Sequence, residues 1–288
     1  MRKDKIKAIF FILFAAALLS TGGLLLKLVD LPPMTIAGSR AIISTIVVWL
    51  YVKKPKFTFS TAQVSGALCY SLMVIGFIVA NKWTSAANAI VLQFSAPIWV
   101  AILGVWILKE KIRWYDIVAI LFVAIGMLLF FIDDVDGGNL AGNIVAVLSG
   151  VALAGVTISL RFQKDESPVE TTLLGHILTA IIGFPFIFGV VFTSMDLVGI
   201  FLLGVFQLGI AYILYSVAIK HLSALEAILF MFLEPILNPI WVFLVVGEKP
   251  SLLSITGGII VLITIVIRSV IANKYELKRN SNLIKIKS

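Results

Sequence analysis

Long apolar runs separated by short polar breaks occupy almost the whole chain. Ten of them are near the length a helix needs to cross about 30 Å of hydrocarbon at about 1.5 Å per residue. They fall at approximately 7–27, 33–52, 62–80, 86–107, 115–132, 140–160, 171–192, 197–217, 224–246 and 252–271. Several breaks carry turn chemistry: Asp30-Leu31-Pro32-Pro33, Lys53-Lys54-Pro55, Asp136-Gly137-Gly138-Asn139 and Glu248-Lys249-Pro250-Ser251. A membrane barrel would instead show alternating segments of about ten residues. The pattern therefore predicts an all-α integral membrane protein with ten transmembrane helices. The first run, Ala8 to Leu26, follows a basic start like that of a signal peptide. It is longer than the usual apolar core of about 7–15 residues, so it reads as a retained span.

One stretch is used twice. Ala80–Lys111 meets Ala218–Lys249 without a gap at an offset of 138 residues. Lys82 falls on Lys220, Ser85-Ala86 on Ser223-Ala224, Phe94 on Phe232, Pro97-Ile98 on Pro235-Ile236 and Glu110-Lys111 on Glu248-Lys249. Spans 3 to 5 thus match spans 8 to 10, and the repeating unit is five helices. An odd number of crossings inserts the second copy upside down, so the chain reads as two inverted five-helix repeats. The halves are expected at residues 1–136 and 137–272, followed by a basic tail over 273–288. The earlier parts of the halves align more sparsely. At an offset of 136, Pro32 meets Pro168, Thr35 meets Thr171 and Arg40 meets His176. Inverted repeats about an axis in the membrane plane are a recurring transporter design, with the binding site near the midplane.

Composition agrees with a bilayer as solvent. The chain is 60% hydrophobic and 13% charged, with mean hydropathy +1.10, where a soluble domain carries about 25% charge. A net charge of +8 does not point to nucleic acid, because the charges sit between apolar runs and form no basic face. Their distribution instead orients the chain. With the N-terminus inside, 19 of the 23 Lys and Arg residues fall in internal segments. Only Lys27, Lys82 and Lys249 fall outside, and Arg40 lies within a span. The basic bias of inner loops then predicts a protein of the cell (inner, cytoplasmic) membrane with both termini in the cytoplasm and lipids as neighbours. The basic tail suits anionic lipid. The lone Cys69 allows neither an internal disulfide nor a CxxC metal site. Asp133, Asp134 and Asp136 with Gly137 lack the full ligand set of a calcium loop. No nucleotide, zinc-protease or hydrolase motif is present, so no cofactor and no nucleotide-driven pumping are expected.

With the repeat in place, the residues resemble a known family. PPMTIAGSRAIISTIVVWL (from Pro32), SAPIWVAILGVWILKEKIRWYDIVAILFVAIGMLLFF (from Ser95) and LEPILNPIWVFLVVGEKPSLLSITGGIIVLITIVI (from Leu233) resemble the second, the fourth and fifth, and the ninth and tenth helices of EamA-type transporters of the drug/metabolite transporter superfamily. The likeness covers essentially the whole chain. It implies a ten-helix inner-membrane carrier of small metabolites, often an amino-acid or metabolite exporter.

Ionisable groups in a membrane cost about 2.5–3.5 kcal/mol on insertion scales and normally face a cavity or a partner. Glu234 is the strongest candidate. It sits mid-span beside Pro235, and Met231, Asn238 and Trp241 share its helix face. It could bind a substrate ammonium or carry a proton, or merely hold the broken turn together. Its repeat mate is Ala96. Arg40 could attract a substrate carboxylate bidentately, pair with Glu234 or a loop acid, snorkel outward, or serve structure and gating. His176 reads first as a hydrogen-bonded packing histidine. Pro97 and Pro235 each remove a backbone hydrogen bond and are candidate hinges. Tyr70, Phe77 and Asn81 share a face of span 3, and Asn88, Ser95 and Trp99 a face of span 4 with Gln93 to one side. Gln207, Tyr212 and Tyr215 belong to span 8. Trp49, Tyr51, Trp83 and Trp114 read as interfacial belt residues. Ala146, Gly150 and Ala154 form a small-residue ridge for close packing.

The expected function is a secondary transporter of small polar metabolites, amino acids or related compounds first, working by alternating access. Its site is expected between spans 1, 3, 4, 6, 8 and 9, and protons are a candidate coupling ion. Carriers of lipophilic cations or of nucleotide-sugar-like solutes are the alternatives within transport. An intramembrane enzyme or a sensor is the alternative from another class, but an enzyme would need paired catalytic groups on facing helices, and none stands out. No feature of the sequence specifies an oligomeric state.

Overall fold

A computed structural model of the chain describes residues 2–84, 86–132, 139–246 and 251–287. Among these residues there are helices and turns and no strand. The helices are α1 (Arg2–Ser20), α2 (Gly22–Lys27), α3 (Pro33–Val52), α4 (Thr61–Trp83), α5 (Ala86–Gln93), α6 (Ala96–Ile107) and α7 (Trp114–Phe131). They continue with α8 (Leu140–Phe162), α9 (Pro168–Gly183), α10 (Ser194–Leu202), α11 (Ala211–Ala218), α12 (Ala224–Phe230), α13 (Leu233–Val246) and α14 (Leu252–Lys287). Each of the ten apolar runs is helical. Among the described residues, eight helical segments are long and apolar enough to cross a membrane, and Trp114–Leu129 is an apolar but shorter ninth. The remaining run holds α12 and α13.

Several runs are less regular than their length suggests. The first breaks at Thr21, ahead of Gly22-Gly23. The fourth and ninth break ahead of Pro97 and Pro235, because proline lacks the N–H for its i−4 carbonyl and its ring clashes there. The seventh tightens into a 3₁₀ turn over Phe184–Ile187, which contains Pro185. The eighth contains a π-helical stretch, Leu203–Ile210, between α10 and α11. Two glycines explain that widening. Gly204 lies against Ile43 and the Arg40 carbonyl, and Gly209 against Val47, so α3 packs directly onto the π turns.

The chain divides into two compact units. The larger holds Met1–Glu110 and Asp134–Pro250. Within it α4 and α8 run antiparallel: Gly66 faces Ser159, Gly76 faces Ser149, and Thr84 donates to Asn143 at 2.7 Å. The ridge on α8 is used as expected. Ala146 and Ala154 are fully buried, and Gly150 lies against the Gln93 carbonyl. The helices α3 and α9 are also antiparallel. A Cβ added at Gly38 would lie 2.7 Å from the Gly183 carbonyl carbon, and Thr35 donates to the Phe186 carbonyl at 2.6 Å. Small residues let the backbones approach this closely, as in membrane helix pairs generally.

The smaller unit holds Lys111–Asp133 and Ser251–Ser288. Here α7 and α14 pack antiparallel. Gly126 lies against the Gly257 carbonyl and Val261, and Arg268 donates through Nε (2.9 Å) and Nη2 (2.7 Å) to one buried oxygen of Asp116.

Spans 2 and 7 (α3 and α9) are repeat equivalents, as are spans 5 and 10 (α7 and α14). Both pairs pack antiparallel, as an inverted duplication requires. The repeat mates Phe94 and Phe232 meet edge-on, ring centroids 4.9 Å apart at 64°. Trp49, Tyr51, Trp83 and Trp114 are all exposed, as belt residues should be. Asp133, Asp134, Asp136, Gly137, Glu248 and Lys249 lie outside the described residues.

Candidate functional site

A cavity of about 520 Å³ lies inside the larger unit. Its walls are mostly apolar, with Met73, Val74, Phe77, Ile78, Phe94 and Met231 prominent. The polar side chains that reach it are few: Arg40, Asn81, Gln93, Gln207, Glu234 and the tyrosines 212 and 215. An apolar pocket with a few convergent polar groups is the usual form of a small-molecule site. Asp30 and Lys82, both exposed, mark one end of it.

Glu234 owes its position to the helix break. α12 stops at Phe230, Met231 and Phe232 form a turn, and α13 begins at Leu233. The Glu234 N–H returns to the Met231 carbonyl at 2.9 Å. The side chain is partly buried, borders the cavity, and makes no hydrogen bond or ion pair with a described residue. Pro235 is also on the wall. On the first copy Gln93, the repeat mate of Met231, also reaches the cavity but is already engaged. Its Nε2 donates to Ser149 Oγ at 2.8 Å, and Ser149 donates on to the Met73 carbonyl at 2.9 Å.

Arg40 comes from α3 and is 4% exposed. Its Nη1 reaches Gln207 Oε1 only at 3.5 Å, and its Nε has no partner. The pairing with Glu234 or with a loop carboxylate that the sequence allowed is not made with any described residue. Snorkelling to water does not occur either. Gln207 lies on the π stretch, closely opposed to Gly22, which is why α2 carries no side chain at that point.

Behind the cavity wall stand Tyr70 and His176, both fully buried. Tyr70 meets His176 edge-on at 4.7 Å and Tyr212 at 4.8 Å between ring centroids. His176 was expected to be hydrogen-bonded. Instead neither ring nitrogen has a partner, and the ring packs edge-on against Tyr70 of α4 and Tyr212 of α11.

Other sequence candidates are placed elsewhere. Trp99 donates to Ser95 Oγ at 3.2 Å and Trp241 to Ser20 Oγ at 2.8 Å, and neither lines the cavity. The common face predicted for Met231, Glu234 and Trp241 therefore splits, since the proline turn swings α13 so that Trp241 meets α1. Asn238 falls in α13, but its side chain is outside the described residues. Pro97 is buried away from the wall, and Asn88 bonds Thr84 Oγ1 at 3.2 Å. The sequence reasoning left span 2 out of the site, although it contributes Pro33, Ile36 and Arg40. It also missed the break after span 1's first half, for which Thr21-Gly22-Gly23 was the available sign.

At the other end from Asp30, charged pairs tie the helices together. Lys5 of α1 meets Glu226 of α12 at 3.0 Å. Glu226 also closes a capping box with Ser223. Lys109 takes φ 55° and turns the chain after α6, and the Glu110 carboxylate then accepts from Arg161 Nε (2.9 Å) and the Ala224 N–H (3.0 Å). Arg161 donates further to the carbonyls of Ile219 and Lys220.

The chain is similar to "Uncharacterized transporter YyaM" of Bacillus subtilis, 26% identical over 71% of this chain and 72% of that one. It is also similar to "Uncharacterized transporter YxxF" of the same organism, 23% identical over 90% and 88%. The human "Solute carrier family 35 member G1" is 25% identical over 70% of this chain and 62% of its own. A solved structure described only as "Crystal structure of protein" superimposes with TM-score 0.79 over 92% of this chain and 98% of its own, at 16% identity, which establishes a common fold. The EamA-like transporter family profile matches twice, over residues 6–132 and 140–270. Two matches, on the two halves of a multi-pass helical membrane protein, settle its place: the chain belongs to the EamA-like transporter family.

Proposed function

We propose that this protein is a secondary transporter that carries small polar metabolites, amino acids or related compounds foremost, across the cytoplasmic membrane by alternating access. One observation carries the proposal. Glu234 presents a carboxylate with no described partner to a largely apolar cavity. A lone ionisable group at such a place is expensive unless it serves a ligand or an ion. Glu234 is the site for a substrate ammonium or for a coupling proton. The halves at 1–136 and 137–272 rock about the region of Phe94 and Phe232, with both termini in the cytoplasm. In that orientation the cavity's Asp30–Lys82 end faces outward. The pairs Lys5–Glu226 and Glu110–Arg161 then hold the cytoplasmic side together.

The test is Glu234→Gln in proteoliposomes that enclose a pH-sensitive dye and are supplied with a radiolabelled amino-acid mixture. Substrate uptake and the accompanying pH change should both fall at least about tenfold, which is roughly 1.4 kcal/mol of lost interaction. Folding should be intact by gel filtration. Unchanged uptake with an unchanged pH profile would overturn the role of Glu234.

A further inference from the structure

Arg113, Arg161 and Arg268 each meet an oxygen acceptor: a tyrosine hydroxyl, a glutamate with two carbonyls, and a buried aspartate. Arg40 is enclosed as fully as Arg268 and meets almost nothing. Its contact of 3.5 Å with Gln207 lies beyond the ordinary range of about 2.7–3.2 Å. Its Nε, the Tyr70 hydroxyl and both nitrogens of His176 are buried without a hydrogen-bond partner. These groups form one cluster. Tyr70 packs against His176 and Tyr212, and Tyr212 shares the cavity wall with Arg40.

A buried cation without a counter-charge costs several kcal/mol, and each unmet buried donor about 1–3 kcal/mol. What the cluster can offer is alike: a guanidinium N–H, a phenolic O–H and one imidazole N–H are all donors. Donors gathered around a fixed positive charge complement an anion. Arg40 borders the cavity, so the anion arrives from there. Glu234 borders the same cavity and does not fill the role, since it forms no ion pair with Arg40.

We infer that Arg40, Tyr70 and His176 form an anion subsite at the edge of the cavity, taking a single carboxylate or halide. The inference rests on the reading of the cavity as the solute site. The anion has two possible sources, the carboxylate of the solute itself or free chloride. A carboxylate held at Arg40 would direct the rest of its molecule into the apolar cavity. Chloride would act as a bound co-ion.

The experiment measures melting temperature of the purified full chain in detergent, titrated with acetate, butyrate, hexanoate and chloride against sulfate of equal ionic strength. The expected result is a saturable rise in melting temperature that depends on Arg40. If the solute supplies the anion, apparent affinity climbs with chain length, by up to about fourfold per buried methylene, and chloride competes weakly. If chloride is the ligand, it saturates the shift and the longer acids bind no better than acetate. Arg40→Gln should abolish either signal, and Arg40→Lys should keep part of it. Tyr70→Phe removes one hydroxyl from an intact ring and should weaken binding about fivefold, an effect of one hydrogen bond. It serves even if the Arg40 variants fail to fold. No saturable shift in the wild type, or titrations of Tyr70→Phe and Arg40→Gln that match the wild type, overturns the subsite. Glu234-dependent uptake without anion binding overturns the subsite and spares the transport reading. Arg40-dependent anion binding in a protein that moves no solute does the reverse.

Discussion

The two broken helices, α5–α6 and α12–α13, have one backbone design and opposite fates. Each has an apolar first half, a two-residue turn and a second half that begins just ahead of a proline. In the first copy the polar groups are used up in packing. Gln93 binds Ser149, Trp99 binds Ser95, and Ala96 and Pro97 are buried off the cavity. In the second copy Met231, Glu234 and Pro235 stand on the wall, and the carboxylate is left without a described partner. The proline opens the backbone in both. The neighbours decide what the opening is used for. On α8, Gly150 lets a helix come up against the freed Gln93 carbonyl, so protein fills that side of the first break, while the Gln93 and Phe94 side chains border the cavity. The second break faces the cavity. Non-helical backbone at membrane depth is tolerated in these two settings, buried in protein or lining a cavity, and one duplicated element provides both.

The sharpest way to break this asymmetry is to exchange its chemistry. Glu234→Ala should lower solute uptake into proteoliposomes by at least about tenfold. Adding Ala96→Glu should not restore it, because Ala96 is fully buried and off the wall. A carboxylate forced in there costs about 2.5–3.5 kcal/mol, so the double variant should also melt earlier than Glu234→Ala alone. Recovery of uptake would mean that the halves are chemically equivalent.

A smaller effect separates the first turns of the two copies. Glu226 is the repeat mate of Asn88. Glu226 is tied by an ion pair to Lys5, whereas Asn88 bonds Thr84 and Asn143. Glu226→Gln copies the neutral amide of the first half and keeps a side chain able to close the capping box with Ser223. It should loosen only the charged end. With Cys69→Ala and Val156→Cys on the cavity wall, labelling by a membrane-impermeant maleimide from the Lys5 side should rise about two- to fivefold, the scale of one partly exposed ion pair. Labelling from the Asp30 side should fall. Equal labelling from both sides in both proteins would remove Glu226 from any gating role.

The scaffold was legible in the sequence because hydrophobic length and duplication are written residue by residue. The ten helical runs, the antiparallel mates and the Pro97 and Pro235 breaks all follow from spacing. Glu234 was legible for a related reason: a carboxylate in a long apolar run has few cheap explanations. What the sequence could not supply was which way each side chain turns after a break. Trp241 shares a face with Glu234 on an ideal helix, yet it bonds Ser20, because the proline turn redirects α13. Arg40 enters the cavity since Gly204 and Gly209 draw α3 onto the π turns, a contact between residues about 160 positions apart that no local period encodes. His176 looked like an ordinary packing residue, and only the tertiary structure shows both nitrogens unmet.

The smallest expected effect concerns a place where repeat mates touch each other directly. Phe94 and Phe232 are mates under the 138-residue offset, and their rings meet edge-on at 4.9 Å. Such pairs contribute about 0.5–1.5 kcal/mol beyond their buried area. A double-mutant cycle of Phe94→Leu and Phe232→Leu, read by unfolding in a denaturing detergent, should return a coupling in that range. The two single variants should cost similar amounts, since leucine leaves a comparable gap on either side of the contact. If the halves rock as proposed, a contact on their axis is kept whichever side is open. The variants should therefore lower stability while leaving the ratio of labelling from the two sides of the membrane unchanged, in contrast to Glu226→Gln. A coupling near zero would show that the rings merely lie side by side. A labelling ratio that moved with Phe94→Leu but not with Phe232→Leu would place the pivot elsewhere and extend the asymmetry of the two copies to their point of contact.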